Sequence, residues 1–392
     1  MAEIITFAPS PSIFGFGALT KLREALKSRG FVRILLVTDP HIAEGRIFQR
    51  VVDSLKGSLD VEVFDRVPAE PKSHEVDEQR ENFGSDFDAL LALGGGSPMD
   101  FAKALSIIMT HGGALGDYLT EGSVPGPVTP VVCVPTTSGT GSQSTQTTVF
   151  TLDGVKRGVS SEYIRPVFSV VDPELTMDLP PEVTRNSGYD ALMHACESFF
   201  ARPFSEVPDR PIFYQGSNPF SRSLSLEAFR SIWQAYPRAV HNGNERTSRM
   251  LMSMGSHLAG IAFSHSGLGL VHALASALGG LVDAPHGVCL AACTDIGLRY
   301  NLKACESDFE TLARIITDID TFGAHGTCAE DFIYHLAKLI DDLKLPSRPS
   351  QLGIKKEDAQ TLLRNTLVQT RRTKTNPRPL DDEFLFFIES GI

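Results

Sequence analysis

Asp190 and His194 stand four residues apart in "YDALMHACES" (189–198), so a carboxylate and an imidazole share one side of an otherwise apolar helical segment. Such a pair needs a partner. His272 lies in "GLGLVHALASALGG" (267–280), and His286 follows fourteen residues later in "DAPHGVCLAA" (283–292). Gly279 and Gly280 are placed to stop the first helix, and Pro285 precedes the second histidine, so the chain can turn back and bring His272 to His286. One carboxylate and three imidazoles suit Zn²⁺ or Fe²⁺ with a coordination position left over for a ligand. The same four residues also suit a buried ion-pair network, and spacing alone does not choose between the two.

A second group of residues is suited to phosphate. "GGGSPMDFAK" (94–103) follows an apolar run and opens a helical pattern. Gly94, Gly95 and Gly96 allow close backbone approach, Ser97 is expected to cap the helix, and Pro98 fits its first position. Free N–H groups at a helix start favour an anion. The stretch is not the G-x-G-x-x-G pattern. "PTTSGTGS" (135–142) follows another apolar run, and its hydroxyls and glycines, Thr136, Thr137 and Thr140 among them, suit pyrophosphate and ribose. Asp39 closes "RILLVTD" (33–39). It is placed either to accept hydrogen bonds from a ribose diol and repel a 2′-phosphate, or to cap a turn before Pro40.

These residues need a scaffold. The apolar runs at 33–39, 88–96, 130–137 and 167–175 read as buried parallel strands. Helical patterns at 18–30, 47–57 and 97–110 lie between them. That alternation predicts a doubly wound α/β nucleotide-binding domain over residues 1–180. Beyond it, "RSLSLEAFRSIWQAYPRAV", "RMLMSMGSHLAGIAF", "DFETLARIITDI" and "DFIYHLAKLIDDL" carry helical periodicity, so residues 181–392 are expected to form an all-α domain. "LPPEVTRNSG" (179–188) is the expected boundary. The Pro-rich, polar stretch 201–221 is expected to be a loop that shapes the mouth of a site.

Composition narrows the class. At 392 residues, 42% apolar and 21% charged, the chain is long and apolar enough for two cored domains. A formal net charge of −11 argues against nucleic acid or an anionic membrane as the main partner. No stretch of about 18 uninterrupted apolar residues occurs, and the N-terminus shows no secretory pattern. None of the six cysteines forms a C-x-x-C pair, which fits reduced thiols and a cytoplasmic location.

Taken together, "GGGSPMDFAKA", "VPTTSGTGS", "VDPEL", "GYDALMHACES", "GLGLVHALASALGG" with "PHGV", and "TNPRPLDDE" resemble the iron-dependent (group III) alcohol dehydrogenase family. The motifs run in family order from "FGFGAL" (14–19) to the C-terminus. The resemblance implies the dehydroquinate synthase-like architecture of an N-terminal nucleotide domain and a C-terminal helical domain, with the active site in the cleft between them. It assigns Asp190, His194, His272 and His286 to Fe²⁺, with Zn²⁺ as the alternative. Gly95, Gly96, Ser97 and Asp100 would meet the diphosphate of NAD, Thr136, Thr137 and Thr140 would hold phosphate, ribose or nicotinamide, and Asp39 would disfavour NADP. Lys156 aligns loosely with a lysine that contacts the cofactor. The implied activity is NAD(H)-dependent interconversion of a small alcohol and aldehyde by a homodimer or larger homo-oligomer. The alternatives within this fold are a hydroxyacid-oxoacid transhydrogenase, a reductase of an acidic aldehyde, and a dehydroquinate synthase-type lyase. The lyase would need a basic cluster for a phosphorylated substrate.

Three positions depart from the family pattern. Ser276 replaces a second histidine common after "HA", His265 stands where asparagine is frequent, and Gln143 replaces a common glutamate. Serine does not titrate near neutral pH, so His265 is the expected substitute for the family's proton relay, with Ser276 bordering the substrate.

Overall fold

The computed structural model describes residues 4–57, 59–84, 86–208, 213–321 and 328–392. Part of the 201–221 stretch, residues 209–212, therefore lies outside the described residues. The chain forms two compact units: residues 9–179, and residues 180–392 together with the N-terminal residues up to Ala8.

The first unit is built on strands β1 (Ser12–Phe14), β2 (Arg33–Val37), β3 (Asp60–Phe64), β4 (Ala89–Gly94), β5 (Val131–Pro135) and β8 (Phe168–Val171). They form one parallel sheet in the order β1-β8-β5-β4-β2-β3. Alternate residues of the central strands go to opposite faces. Leu35, Val37, Leu90, Ala92, Val131 and Cys133 join one core, while Ile34, Leu36, Leu91, Leu93, Val132 and Val134 join the other. Both faces are buried, which is why these strands are continuously apolar. Helices α1 (Leu22–Lys27), α2 (Pro40–Ala43), α3 (Arg46–Leu55), α4 (Ser73–Asn82) and α5 (Gly96–His111) occur in this unit. Of these, α1 and α3 supply Leu22, Leu26, Val51 and Leu55 to one core, and α4 and α5 supply Val76, Met99, Phe101 and Leu105 to the other.

Three features differ from the sequence reading. The short edge strand β1, the edge strand β3 and an antiparallel hairpin, β6 (Thr147–Leu152) with β7 (Val155–Ser160), carry too little apolar signal to stand out. The 18–30 segment divides into a single 3₁₀ turn, Ala18–Lys21, and α1. Ser97 does not cap α5. Gly95 takes that position and the Ser97 hydroxyl donates to the Ala69 carbonyl, while Pro98 sits in the first turn, where a missing N–H costs nothing. The two units divide within the expected boundary stretch 179–188, and Pro181 starts a helix there in the position proline favours.

The hydroxyl-rich stretch after β5 is anchored from below. Lys103 of α5 is fully buried and its Nζ donates to Ser142 O (2.6 Å), Ser142 Oγ (2.8 Å), Thr145 Oγ1 (3.0 Å) and Thr147 O (3.0 Å). Burial pushes its pKa down, and Asp100 opposes that shift.

The second unit is helical: α6 (Pro181–Phe199), α7 (Pro219–His241), α8 (Arg246–Ser266), α9 (Leu270–Gly279), α10 (His286–Asn301), α11 (Glu306–Thr321), α12 (Ala329–Asp342), α13 (Ala359–Leu367), α14 (Thr370–Thr375) and α15 (Phe384–Gly391). A single core runs through it from Tyr189 and Leu192 on α6 to Phe384 and Ile388 on α15. Among the described residues no single helix is long and apolar enough to cross a membrane, and no disulfide forms.

Candidate metal and nucleotide sites

Helix α6 presents Asp190 and His194 on one face, α9 presents His272, and His286 is the first residue of α10. The turn between α9 and α10 reverses the chain as the glycines and Pro285 suggest. The result gathers ligand atoms of Asp190, His272 and His286 within 4.8 Å of one another. Asp190 Oδ1 lies 3.4 Å from His272 Nε2, 3.9 Å from His286 Nε2 and 3.5 Å from His194 Nε2. The His194 ring is stacked between those of His272 (4.6 Å) and Phe263 (4.3 Å).

The donor set fits a cation. Asp190 Oδ1 and His272 Nε2 are buried and neither makes a hydrogen bond. A buried polar atom without a partner costs about 1–3 kcal/mol, and the lone pairs of these two atoms are the kind a cation takes up. The carboxyl of Asp190 is under two opposed influences. Burial raises its pKa, but the imidazoles of His194, His272 and His286 outweigh burial and hold it below the usual carboxylate range. For His272, burial works against the charged form, and Asp190 and Glu197 more than compensate.

Glu197 is the residue that sequence reasoning missed. It is fully buried, one turn beyond His194. Its Oε2 accepts from His272 Nδ1 (2.5 Å), and its two oxygens accept the backbone N–H groups of Gly269 (3.2 Å), Val271 (2.6 Å) and His272 (3.2 Å). Asn376, from the "TNPR" motif, takes the remaining N–H of that turn through Oδ1, from Leu270 (2.9 Å), and pairs with Asn301 of α10. The otherwise orphaned N–H groups of α9 are thus satisfied by two side chains. Because His272 donates through Nδ1, its Nε2 carries the lone pair that a cation requires. The signal in the sequence was a lone acid in an apolar segment, seven residues after Asp190.

The other predicted residues separate into two groups. At the carboxyl ends of the sheet, Asp39 follows β2, Gly94–Gly96 follow β4, and Thr136, Thr137 and Thr140 follow β5. Strand β2 connects to β3 on one side and neighbours β4 on the other, so Asp39 and the glycines flank the point where strand order reverses, the usual ligand position in such sheets. Gly94 has φ +145°, and a Cβ there would stand 2.6 Å from Pro98 and 3.4 Å from Asp39 Oδ2; a Cβ on Gly96 would meet Thr140 at 2.9 Å. Asp39 also accepts from Ile42 N (2.9 Å), so it caps α2 with one oxygen and faces the glycine turn with the other.

Asp100, Lys156 and His265 do other work. Asp100 Oδ1 accepts from Ser142 Oγ (2.6 Å) and Oδ2 from Val149 N (3.2 Å), which spends the carboxylate on tying α5 to the hairpin rather than on a diphosphate. Lys156 on β7 pairs with Glu70 (2.9 Å). His265 Nε2 accepts from Ala8 N (3.0 Å), Nδ1 donates to Ile261 O (2.7 Å), and the ring packs on Phe7 at 4.5 Å. Both nitrogens are held by backbone, so the expected relay is instead a clasp for the N-terminal segment. Ser276 is buried one turn after His272 on α9.

The fold and the donor set define a parallel α/β sheet unit joined in one chain to a helical unit that carries a cluster able to hold a metal ion. A family model described as iron-containing alcohol dehydrogenase matches residues 9–173, and its C-terminal counterpart matches residues 184–388. The chain belongs to the iron-containing alcohol dehydrogenase family. It is 32% identical over 376 residues to an NAD-dependent methanol dehydrogenase of Bacillus methanolicus, covering 95% of each chain. It is also 32% identical over 405 residues to a mitochondrial hydroxyacid-oxoacid transhydrogenase of Bos taurus, covering 95% of this chain and 86% of that one. Among solved structures, a 1,3-propanediol oxidoreductase superposes with a TM-score of 0.90 at 29% identity, covering 100% of both chains.

Proposed function

We propose that this protein is a metal-dependent NAD(H) alcohol dehydrogenase and aldehyde reductase acting on a small substrate. The observation that carries the reading is the Asp190–His272–His286 cluster, with its buried atoms that lack hydrogen-bond partners. When bound, Fe²⁺ (or Zn²⁺) would supply Lewis acidity to a substrate oxygen, and the nicotinamide would supply or take the hydride. Asp190, His194, His272 and His286 would hold the cation, and Glu197 fixes the tautomer and ring direction of His272. Phe263 closes one side of His194 with an apolar surface. In the sheet unit, Asp39 favours a free ribose 2′-hydroxyl over a 2′-phosphate, and the glycine turn at 94–96 admits a diphosphate to the start of α5.

The test is turnover of a panel of alcohols and aldehydes with NAD(H) by the metal-loaded protein, beside His272→Ala. Activity in the wild type and loss of both bound metal and turnover in the variant are expected. Full metal content in His272→Ala, measured by elemental analysis, removes that residue from the site. The likeness to a hydroxyacid-oxoacid transhydrogenase supports a second reading, in which nicotinamide stays bound between two half-reactions. Gel filtration separates the two: a transhydrogenase keeps its cofactor through the column and a dehydrogenase loses it.

A further inference from the structure

The C-terminal stretch "TNPRPLDDE" (375–383) holds none of the four candidate ligands, yet it is bonded both to α9, which carries His272, and to α10, which carries His286. At the start of α9, Thr375 Oγ1 donates to Leu268 O (2.5 Å) and Asn376 Oδ1 accepts from Leu270 N (2.9 Å). At the end of α10, Tyr300 Oη donates to Pro379 O (2.8 Å) and accepts from Asp381 N (3.0 Å). The Arg378 guanidinium lies 4.0 Å from the centre of the Tyr300 ring and donates to Tyr300 O (3.2 Å).

Asn376 joins the two helices. Its amide and that of Asn301, the last residue of α10, are fully buried and meet head to tail. Asn301 Nδ2 donates to Asn376 Oδ1 (2.9 Å), and Asn376 Nδ2 donates to Asn301 Oδ1 (2.8 Å). Asn376 Nδ2 also donates to Arg378 O (2.7 Å), so with Leu270 N both hydrogens and both lone pairs of this amide are used. The backbone donor on one side and the backbone acceptor on the other fix which way it points. Neither a carboxylate nor an apolar side chain satisfies both. The two helices also touch directly beside His272: a Cβ on Gly297 of α10 would stand 3.2 Å from Val271 N and 3.3 Å from Val271 Cα. A Cβ on Gly269 would stand 2.9 Å from Asn376 Oδ1 and 3.0 Å from Glu197 Oε1, so Asn376 and the carboxylate that orients His272 grip the same point of the chain. A buried and fully satisfied network of this kind holds its members in one arrangement.

We propose that Asn376 is a positioning residue for the metal site: through Asn301 it locks the His272 helix to the His286 helix, so that the two imidazoles meet a cation without rearrangement. This rests on the metal-dependent reading above and deepens it. Ligands already held in place lose little freedom on binding. When the lock is loosened, only a fraction of molecules presents both rings at once, and the apparent affinity falls by that fraction. A purely structural bond behaves differently. Its loss lowers stability, but a protein that is still about 99% folded keeps its affinity, because the competent fraction hardly changes.

The experiment titrates Co²⁺ into chelator-stripped wild type, Asn376→Ala, Asn301→Ala and Phe332→Leu, following the d–d absorption bands, which report coordination geometry. Phe332 is a buried core residue of α12, which carries no candidate ligand, so its variant loses stability without touching the lock. Each protein is kept at a temperature where circular dichroism shows it nearly fully folded. Asn376→Ala is expected to weaken Co²⁺ binding about 10- to 100-fold, as for other residues that orient a ligand, and to alter the bands. Asn301→Ala leaves the Leu270 bond in place and removes only the link to α10. It should weaken binding about tenfold, and it carries the test if Asn376→Ala does not fold. Phe332→Leu should lower Tm and keep wild-type affinity and bands. Wild-type affinity and bands in Asn301→Ala overturn the lock and leave Asn376 as a cap of α9. An equal loss of affinity in Phe332→Leu also overturns it, since general loosening then suffices. Failure of the wild type itself to bind Co²⁺ overturns the metal reading and this proposal with it.

Discussion

Glu197 places one carboxylate against His272 Nδ1 and against three N–H groups at the start of α9. Its negative charge keeps the proton on Nδ1 and the lone pair on Nε2. Glu197→Gln preserves shape but offers an NH₂ to Nδ1, which favours the other tautomer and removes the lone pair from the metal side. Metal affinity is expected to fall about 10- to 100-fold, as for other residues that orient a ligand, while the fold by circular dichroism is retained. Unaltered affinity in a metal titration would show that the carboxylate acts only as a helix cap. At Asp39 the two roles are divided between its oxygens. Asp39→Gly should cost only a few tenths of a kcal/mol as a cap. The ratio of NADP(H) to NAD(H) use should rise roughly tenfold on losing one like-charge contact near the surface. A wild type that uses both cofactors equally would show that Asp39 does not read the ribose.

Helix α10 carries His286 at its first residue, and its distance from α6 is set by Gly287. A Cβ at that position would stand 1.9 Å from the Asn186 carbonyl oxygen. Because this contact is with backbone, no rotamer change relieves it, and α10 must move away from the helix that holds Asp190 and His194. Gly287→Ala is expected to cost about 1–3 kcal/mol, as overpacking does, and to weaken metal binding because His286 moves with its helix. Urea unfolding and elemental analysis read the two effects; a variant as stable and as metal-rich as wild type would show that the helix start yields locally. The hairpin β6–β7 depends in the same way on one element, since Lys103 of α5 satisfies carbonyls and hydroxyls that burial would otherwise leave unpaired.

Across the whole chain, each unit has its own core and its own candidate ligand site. The single tryptophan, Trp233, lies on α7 and packs against the helical core, so its fluorescence reports on the metal-binding unit. Saturating that unit's site at about 100 times Kd adds about 2.7 kcal/mol, which corresponds to roughly 5–10 °C in Tm for a domain of this size. Metal added to chelator-stripped protein should therefore raise the Trp233-detected transition by that amount, and His272→Ala should abolish the shift. An equal shift in the variant would place the stabilising metal elsewhere.

The sequence by itself determined the central strands, the glycine turn and the four ligand candidates. Doubly buried parallel strands are continuously apolar, a phosphate turn needs residues without Cβ, and a carboxylate with three imidazoles is an unusual content for apolar helices. Weak edges escaped it, because β1 and β3 bury little and so carry little pattern. Tertiary structure alone decided what the remaining polar groups do. Asp100 was expected at a diphosphate and Glu197 drew no expectation, yet one braces a hairpin and the other orients a histidine. His265 looked available as a relay until Ala8, 257 residues away in sequence, took its second nitrogen. The reason is common to all of them: a buried polar side chain is defined by the partner it finds, and that partner is brought by packing from a distant part of the chain.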